Sequence, residues 1–143
     1  MTDATVFTNA RLIDPETGTD AVGWVRIEDG QISDVSYDAL ANTVKGTRID
    51  CSGKCLAPGI VDIGVKVCEP GERHKESYRS AGLAAAAGGV TTMVTRPDTD
   101  PSIDSPEILE FVTRRANQAA PVNVVPMAAL TKGRQGREMT EIG

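Results

Sequence analysis

The chain is poor in the residues that most often hold catalytic metals. It has one histidine, His74, and three cysteines in 143 residues. Arithmetic therefore excludes a zinc site built from several imidazoles of this chain. An odd cysteine count argues against a disulfide framework and for a reducing compartment, the cytoplasm. No apolar run approaches the ~20 residues a membrane span needs, and the opening MTDATVFTNARL lacks the basic-then-apolar pattern of a secretion signal. A membrane is therefore not an expected partner. Nor is nucleic acid, because the net charge is −5 and no basic block occurs. What is present, 40% apolar and 24% charged residues, fits a soluble globular protein. A chain of this length can bury roughly two thirds of its unfolded surface.

Two textures follow one another. Residues 4–36 read as short strands: Val6 to Ile13, Val22 to Glu28 and Gln31 to Ser36. Asp14-Pro15-Glu16-Thr17-Gly18 is a turn cluster, and Asp29-Gly30 is the two-residue hairpin signal. Residues 37–47 read as a loop and Arg48 to Cys51 as a further strand. From Leu56-Ala57-Pro58-Gly59 onward strands alternate with helices. Ile60 to Val67, Val90 to Thr95 and Val122 to Met127 are strands; His74 to Ala87 is a helix ended by Gly88-Gly89. A second helix opens at Ser105-Pro106 and buries Ile108, Leu109, Val112 and Ala116. The order β-α-β-α-β implies parallel strands. A closed eight-unit barrel needs about 250 residues. The expectation is a small open sheet or the front part of something larger.

Residues 61–68 carry the most information. By alternation Val61, Ile63, Val65 and Val67 form one apolar face, suited to packing under helices. Asp62, Gly64, Lys66 and Cys68 form the other, and Glu69-Pro70-Gly71 follows at the carboxyl end, where α/β folds place their sites. Periodicity alone leaves three readings open. The polar face could line a pocket, be a half-solvated edge, or hold a buried Asp62–Lys66 ion pair without chemistry.

The stretch Leu56-Ala57-Pro58-Gly59-Ile60-Val61-Asp62, with Glu69-Pro70-Gly71 and His74-Lys75-Glu76, resembles dihydroorotase of the amidohydrolase superfamily. So do Ala84 to Thr92, Pro97-Asp98-Thr99-Asp100-Pro101, Ile27 to Ile32 and Ala129 to Gly133. The resemblance implies an α/β fold. Residues 1–56 would be the N-terminal part of a small β-sandwich domain, and 57–143 the first three βα units of an incomplete (β/α)8 barrel. The missing part of the barrel would be a necessary partner. The family's activity is the reversible closure of carbamoyl aspartate to dihydroorotate in pyrimidine synthesis, with zinc activating water.

The resemblance also implies site positions, and this sequence departs from most of them. Asp62 is kept. The two metal histidines correspond to Gly64 and Lys66, the substrate arginine to Cys68 and the substrate asparagine to Asp98. A glycine has no ligand atom, an ammonium repels a metal, and Asp98 repels an anionic substrate. No catalytic residue, zinc or other cofactor is therefore expected. Lys66 is expected to turn inward beside Asp62, within hydrogen-bonding reach of an acid. The expected role is structural, in a homo- or hetero-oligomer with aspartate transcarbamoylase. The alternatives are an active hydrolase of cyclic amides that recruits Lys66, Asp62 or Cys68, and an anion-binding module in which Lys66 replaces the metal charge.

Other features read as structural. Cys51 and Cys55 would lie on one strand face about 13 Å apart, and the thiols are expected buried and inert. His74 reads as a surface or capping residue. Arg114, Arg115, Lys132, Arg134 and Arg137 read as solvated, and Gly133 and Gly136 as parts of a mobile loop open to proteolysis.

Overall fold

The structure, a computed structural model, describes residues 4–141. The chain divides into two compact units, Met1–Pro58 and Gly59–Gly143.

The first unit is a sheet with strand order β3-β2-β1-β4, with β5 also pairing to β1. Its strands are β1 (Thr5–Asp14), β2 (Thr19–Glu28), β3 (Gln31–Ser36), β4 (Thr47–Asp50) and β5 (Cys55–Leu56). The β2–β3 hairpin turns on Asp29 (φ 52°) and Gly30 (φ 74°), the two positive φ angles that a type I′ turn requires. β1 carries an irregularity between Phe7 and Ala10, with Asn9 at φ 58°. A bulge of this kind bends the strand, and the Asn9 side chain donates to Asp50 at 2.9 Å. Ala10, Leu12 and Val25 form a small buried cluster. Trp24 is buried too, and its indole N–H donates to the Asp38 carbonyl at 3.2 Å.

The cysteines depart from expectation. β4 stops at Asp50 and a turn intervenes before β5, so Cys51 and Cys55 do not share a strand. Cys55 is exposed while Cys51 and Cys68 are half-buried, all three as free thiols. β5 is only two residues long and leaves Cys55 uncovered.

The second unit is a three-stranded parallel sheet, β6 (Ile60–Val65), β7 (Val90–Thr95) and β8 (Asn123–Pro126), in that order. Helix α1 (Tyr78–Ala87) packs on β7, and α2 (Pro106–Ala119) packs on β8 and on α1. Val67, Tyr78, Met93, Ile103, Val112 and Ala116 form the core. Ile108 and Leu109 lie half-buried at its edge.

α1 begins four residues later than its periodicity suggests. Glu72 N–H donates to the Cys68 carbonyl and Lys75 N–H to the Glu72 carbonyl, so residues 68–75 are turns. Ser77 then caps the helix. Its hydroxyl accepts from Ser80 N–H at 3.1 Å and its own N–H donates to the Ser80 hydroxyl at 2.9 Å. A reciprocal capping box of this type satisfies two N–H groups that the first helical turn leaves open. His74 is an exposed turn residue.

β6 also departs from simple alternation. Gly64 has φ 92°, and the β6–β7 register shifts between Ile63 and Val65. Beyond this irregularity Val67 is buried and Val65 packs against the core. Before it, Val61 and Ile63 are 56% and 73% exposed. The expected apolar face is thus covered only at its carboxyl end. β6 is an edge strand, and the helices stand over its neighbours.

The stretch expected as a mobile loop is tied down by hydrogen bonds. Thr131 and Met139 form an isolated antiparallel bridge, Lys132 pairs with Glu138, and Gly133 N–H donates to Asp104 at 2.6 Å. Among the described residues no helix is long and apolar enough to cross a membrane.

Candidate functional site

The candidate residues gather where β6 and β7 end. Val65 and Thr95 are register partners, and Arg96 N–H continues the ladder by donating to the Val65 carbonyl at 2.9 Å. Lys66 and Arg96 therefore leave two adjacent strands side by side. Asp98 follows two residues later, its side chain only 10% exposed. Lys66 Nζ lies 3.3 Å from Asp98 Oδ2, and Arg96 Nη2 donates to the same oxygen at 2.8 Å. Burial alone would push the Asp98 carboxyl up. The hydrogen bond from Lys66 and the charges of Arg96 and Lys66 overcome it and hold Asp98 below the usual carboxylate range.

Lys66 thus reaches an acid, but it is 52% exposed and not buried. Its partner is Asp98. Asp62 is exposed, and among the described residues no ion pair joins it to Lys66. Gly64 sits at the register shift, and Cys68 is half-buried with its carbonyl accepting from Glu72 N–H at 2.8 Å. The structure therefore brings Lys66 and Asp98 together and leaves Asp62, Gly64 and Cys68 outside that contact.

Two participants escaped the sequence reading. One is Arg96, whose place at the end of a strand and two residues before Asp98 was a usable signal. The other is the acid–base cluster around Glu69. This side chain is 6% exposed and accepts from Arg115 Nε at 2.7 Å. Its second oxygen accepts from Tyr78 N–H, the first residue of α1, at 3.0 Å, and Arg73 stands 3.5 Å away. Burial would raise the Glu69 pKa; the hydrogen bonds from Arg115 and Tyr78 and the charges of both arginines reverse this and lower it. Arg115 is thus an ion-pair partner of a buried acid and not a solvated helix residue. Glu69 lies 46 positions away, so no local pattern could reveal the pair.

Gly64 supplies no ligand, Lys66 brings a cation held by Asp98, and no group of three His, Cys, Asp or Glu among the described residues could hold a metal.

Comparison with known proteins places the chain in a family. Residues 53–143 match the dihydro-orotase-like family. The chain belongs to the dihydroorotase-like family. A dihydroorotase of Solibacter usitatus is 40% identical over 138 residues, which cover 96% of this chain and 32% of that protein. A protein named dihydroorotase-like from Pseudomonas putida is 40% identical over 133 residues, 93% of this chain and 31% of its own length. The chain thus spans about a third of these curated relatives. Among solved structures, L-hydantoinase from Arthrobacter aurescens superposes with a TM-score of 0.78 at 25% identity, covering 92% of this chain and 28% of that one. A D-hydantoinase from Thermus sp. superposes with a TM-score of 0.71 at 20% identity, over 89% of this chain and 28% of that one. The fold is therefore that of a portion of the amidohydrolase barrel enzymes.

Proposed function

We propose that this dihydroorotase-like chain serves pyrimidine biosynthesis without zinc-dependent ring chemistry, as a structural partner of aspartate transcarbamoylase. The observation that carries this reading is the Lys66–Asp98 ion pair at 3.3 Å, where the family resemblance places a metal histidine and a substrate clamp. A cation fixed to a carboxylate at that point opposes metal binding and occupies the position meant for a neutral amide. In this reading the second unit contributes the first three βα units of a (β/α)8 barrel and the first unit part of a β-sandwich domain.

Gly64 has open space beside it but a φ of 92°, which an L-residue adopts only with strain. A histidine restored at position 64 alone would meet that strain and find Lys66 as its neighbouring ligand position. Catalytic groups that act as a unit do not return one at a time.

The test measures zinc content and turnover of carbamoyl aspartate on protein free of host enzyme, and probes co-purification with aspartate transcarbamoylase. Expected are no zinc at this site, no cyclisation above background, and a stable complex. About one zinc per chain, lost in Asp62→Ala or Lys66→Met, together with turnover, would overturn the reading.

A further inference from the structure

We propose that Lys66 and Arg96, braced by Asp98, form a binding site for a small oxyanion, a carboxylate or a phosphate, at the carboxyl end of β6 and β7. The proposal goes beyond the structural role proposed above and rests on that reading only for the absence of zinc, a cation that Lys66 and Arg96 would repel.

The charge balance is the first argument. Two cations converge on one oxygen of one carboxylate, at 3.3 and 2.8 Å. Asp98 can neutralise only one of them. Glu72 feels the charge of Lys66, but its ion-pair partner is Lys75. One positive charge thus stays uncompensated, in a protein whose net charge is −5.

Geometry is the second. Both cations leave adjacent strands one residue beyond the register pair Val65–Thr95, so their backbone positions are set by the sheet. Asp98 is almost covered, whereas the Lys66 and Arg96 side chains are 52% and 50% exposed. An anion can therefore reach both cations without displacing Asp98. Arg96 gives only Nη2 to Asp98, which leaves its other guanidinium nitrogens for a planar or tetrahedral oxyanion. Asp98 then serves to hold two like charges together, and its charged state is secured by the same contacts.

The test uses the full native protein in the assembly in which it purifies. Inorganic phosphate and succinate are titrated separately by calorimetry at low salt. Binding of either is expected with a Kd on the order of 1 mM, weakening as sodium chloride rises. Lys66→Met and Arg96→Met should each weaken it at least about tenfold, with Arg96→Lys intermediate. Circular dichroism on each variant shows whether the fold survives; where a methionine variant does not fold, Arg96→Lys carries the comparison. Absence of binding by both anions, or binding unchanged in the folded variants, overturns the proposal. Zinc content of the same samples separates the two failures. No anion binding and no zinc defeats only the oxyanion site, whereas zinc with turnover defeats the functional reading.

Discussion

At the scale of single residues, the two acids at the candidate positions, Asp62 and Asp98, differ in their surroundings. Asp98 is almost covered and shared by two cations, while Asp62 is exposed. Asp62→Ala should therefore change stability by no more than about 0.5 kcal/mol. Asp98→Ala should cost about 1–2 kcal/mol, because Lys66 and Arg96 would face each other without the carboxylate between them. Half-exposure of both cations keeps the figure low. Lys66→Met should cost less than Asp98→Ala, since Arg96 still pairs with Asp98. Urea midpoints of the three variants, measured in the full native protein, give this order. An Asp62→Ala loss as large as that of Asp98→Ala would contradict it.

At the scale of elements, Glu69 is the junction of the second unit. It binds the first N–H of α1 and the side chain of Arg115 on α2, just past the end of β6. One carboxylate therefore ties both helices to the loop that follows the strand. Its pKa in the folded protein lies below the ordinary glutamate value, despite burial. The stabilisation is then complete above the ordinary value and drains away as pH falls through it toward the lowered one. Glu69→Gln keeps the shape but loses the charge-assisted hydrogen bonds, and should cost about 2 kcal/mol at neutral pH. The loss should shrink as the pH is lowered through the carboxylate range. Denaturant unfolding of both proteins across that range reads this directly. A difference that stays constant down to strongly acidic pH would show that Glu69 acts only by packing.

At the scale of the whole molecule, apolar surface remains open in each unit. On β6, Val61 and Ile63 are 56% and 73% exposed at the edge of the parallel sheet. In the first unit Ile32 and Val35 on β3, and Tyr37 just after it, are exposed beside Leu12, Ile27 and Leu56, which line an apolar groove. Open sheet edges and apolar faces favour association. The 143-residue chain alone should therefore not melt as a two-state monomer. Calorimetry combined with sedimentation should show broad transitions or self-association, and a sharp transition from a monomer would contradict this.

The sequence by itself determined the elements whose signals are local. The Asp29-Gly30 hairpin, the strand Val90–Thr95, and the second helix with its serine cap and first-turn proline follow from turn chemistry and periodicity. The roles of positions 64, 66, 68 and 98 came from the family resemblance and not from turn chemistry or periodicity, which show only that Asp62, Gly64, Lys66 and Cys68 alternate with apolar residues. Tertiary structure decided the rest. The start of α1 moved to Tyr78 because the residues before it close turns and Ser77 caps the helix. The apolar face of β6 divided because a positive φ at Gly64 shifts the register, and alternation holds only while the strand stays regular. The partners of Lys66 and Glu69 were settled by which strands and helices became neighbours. An ion pair across 32 or 46 residues leaves no trace in local periodicity.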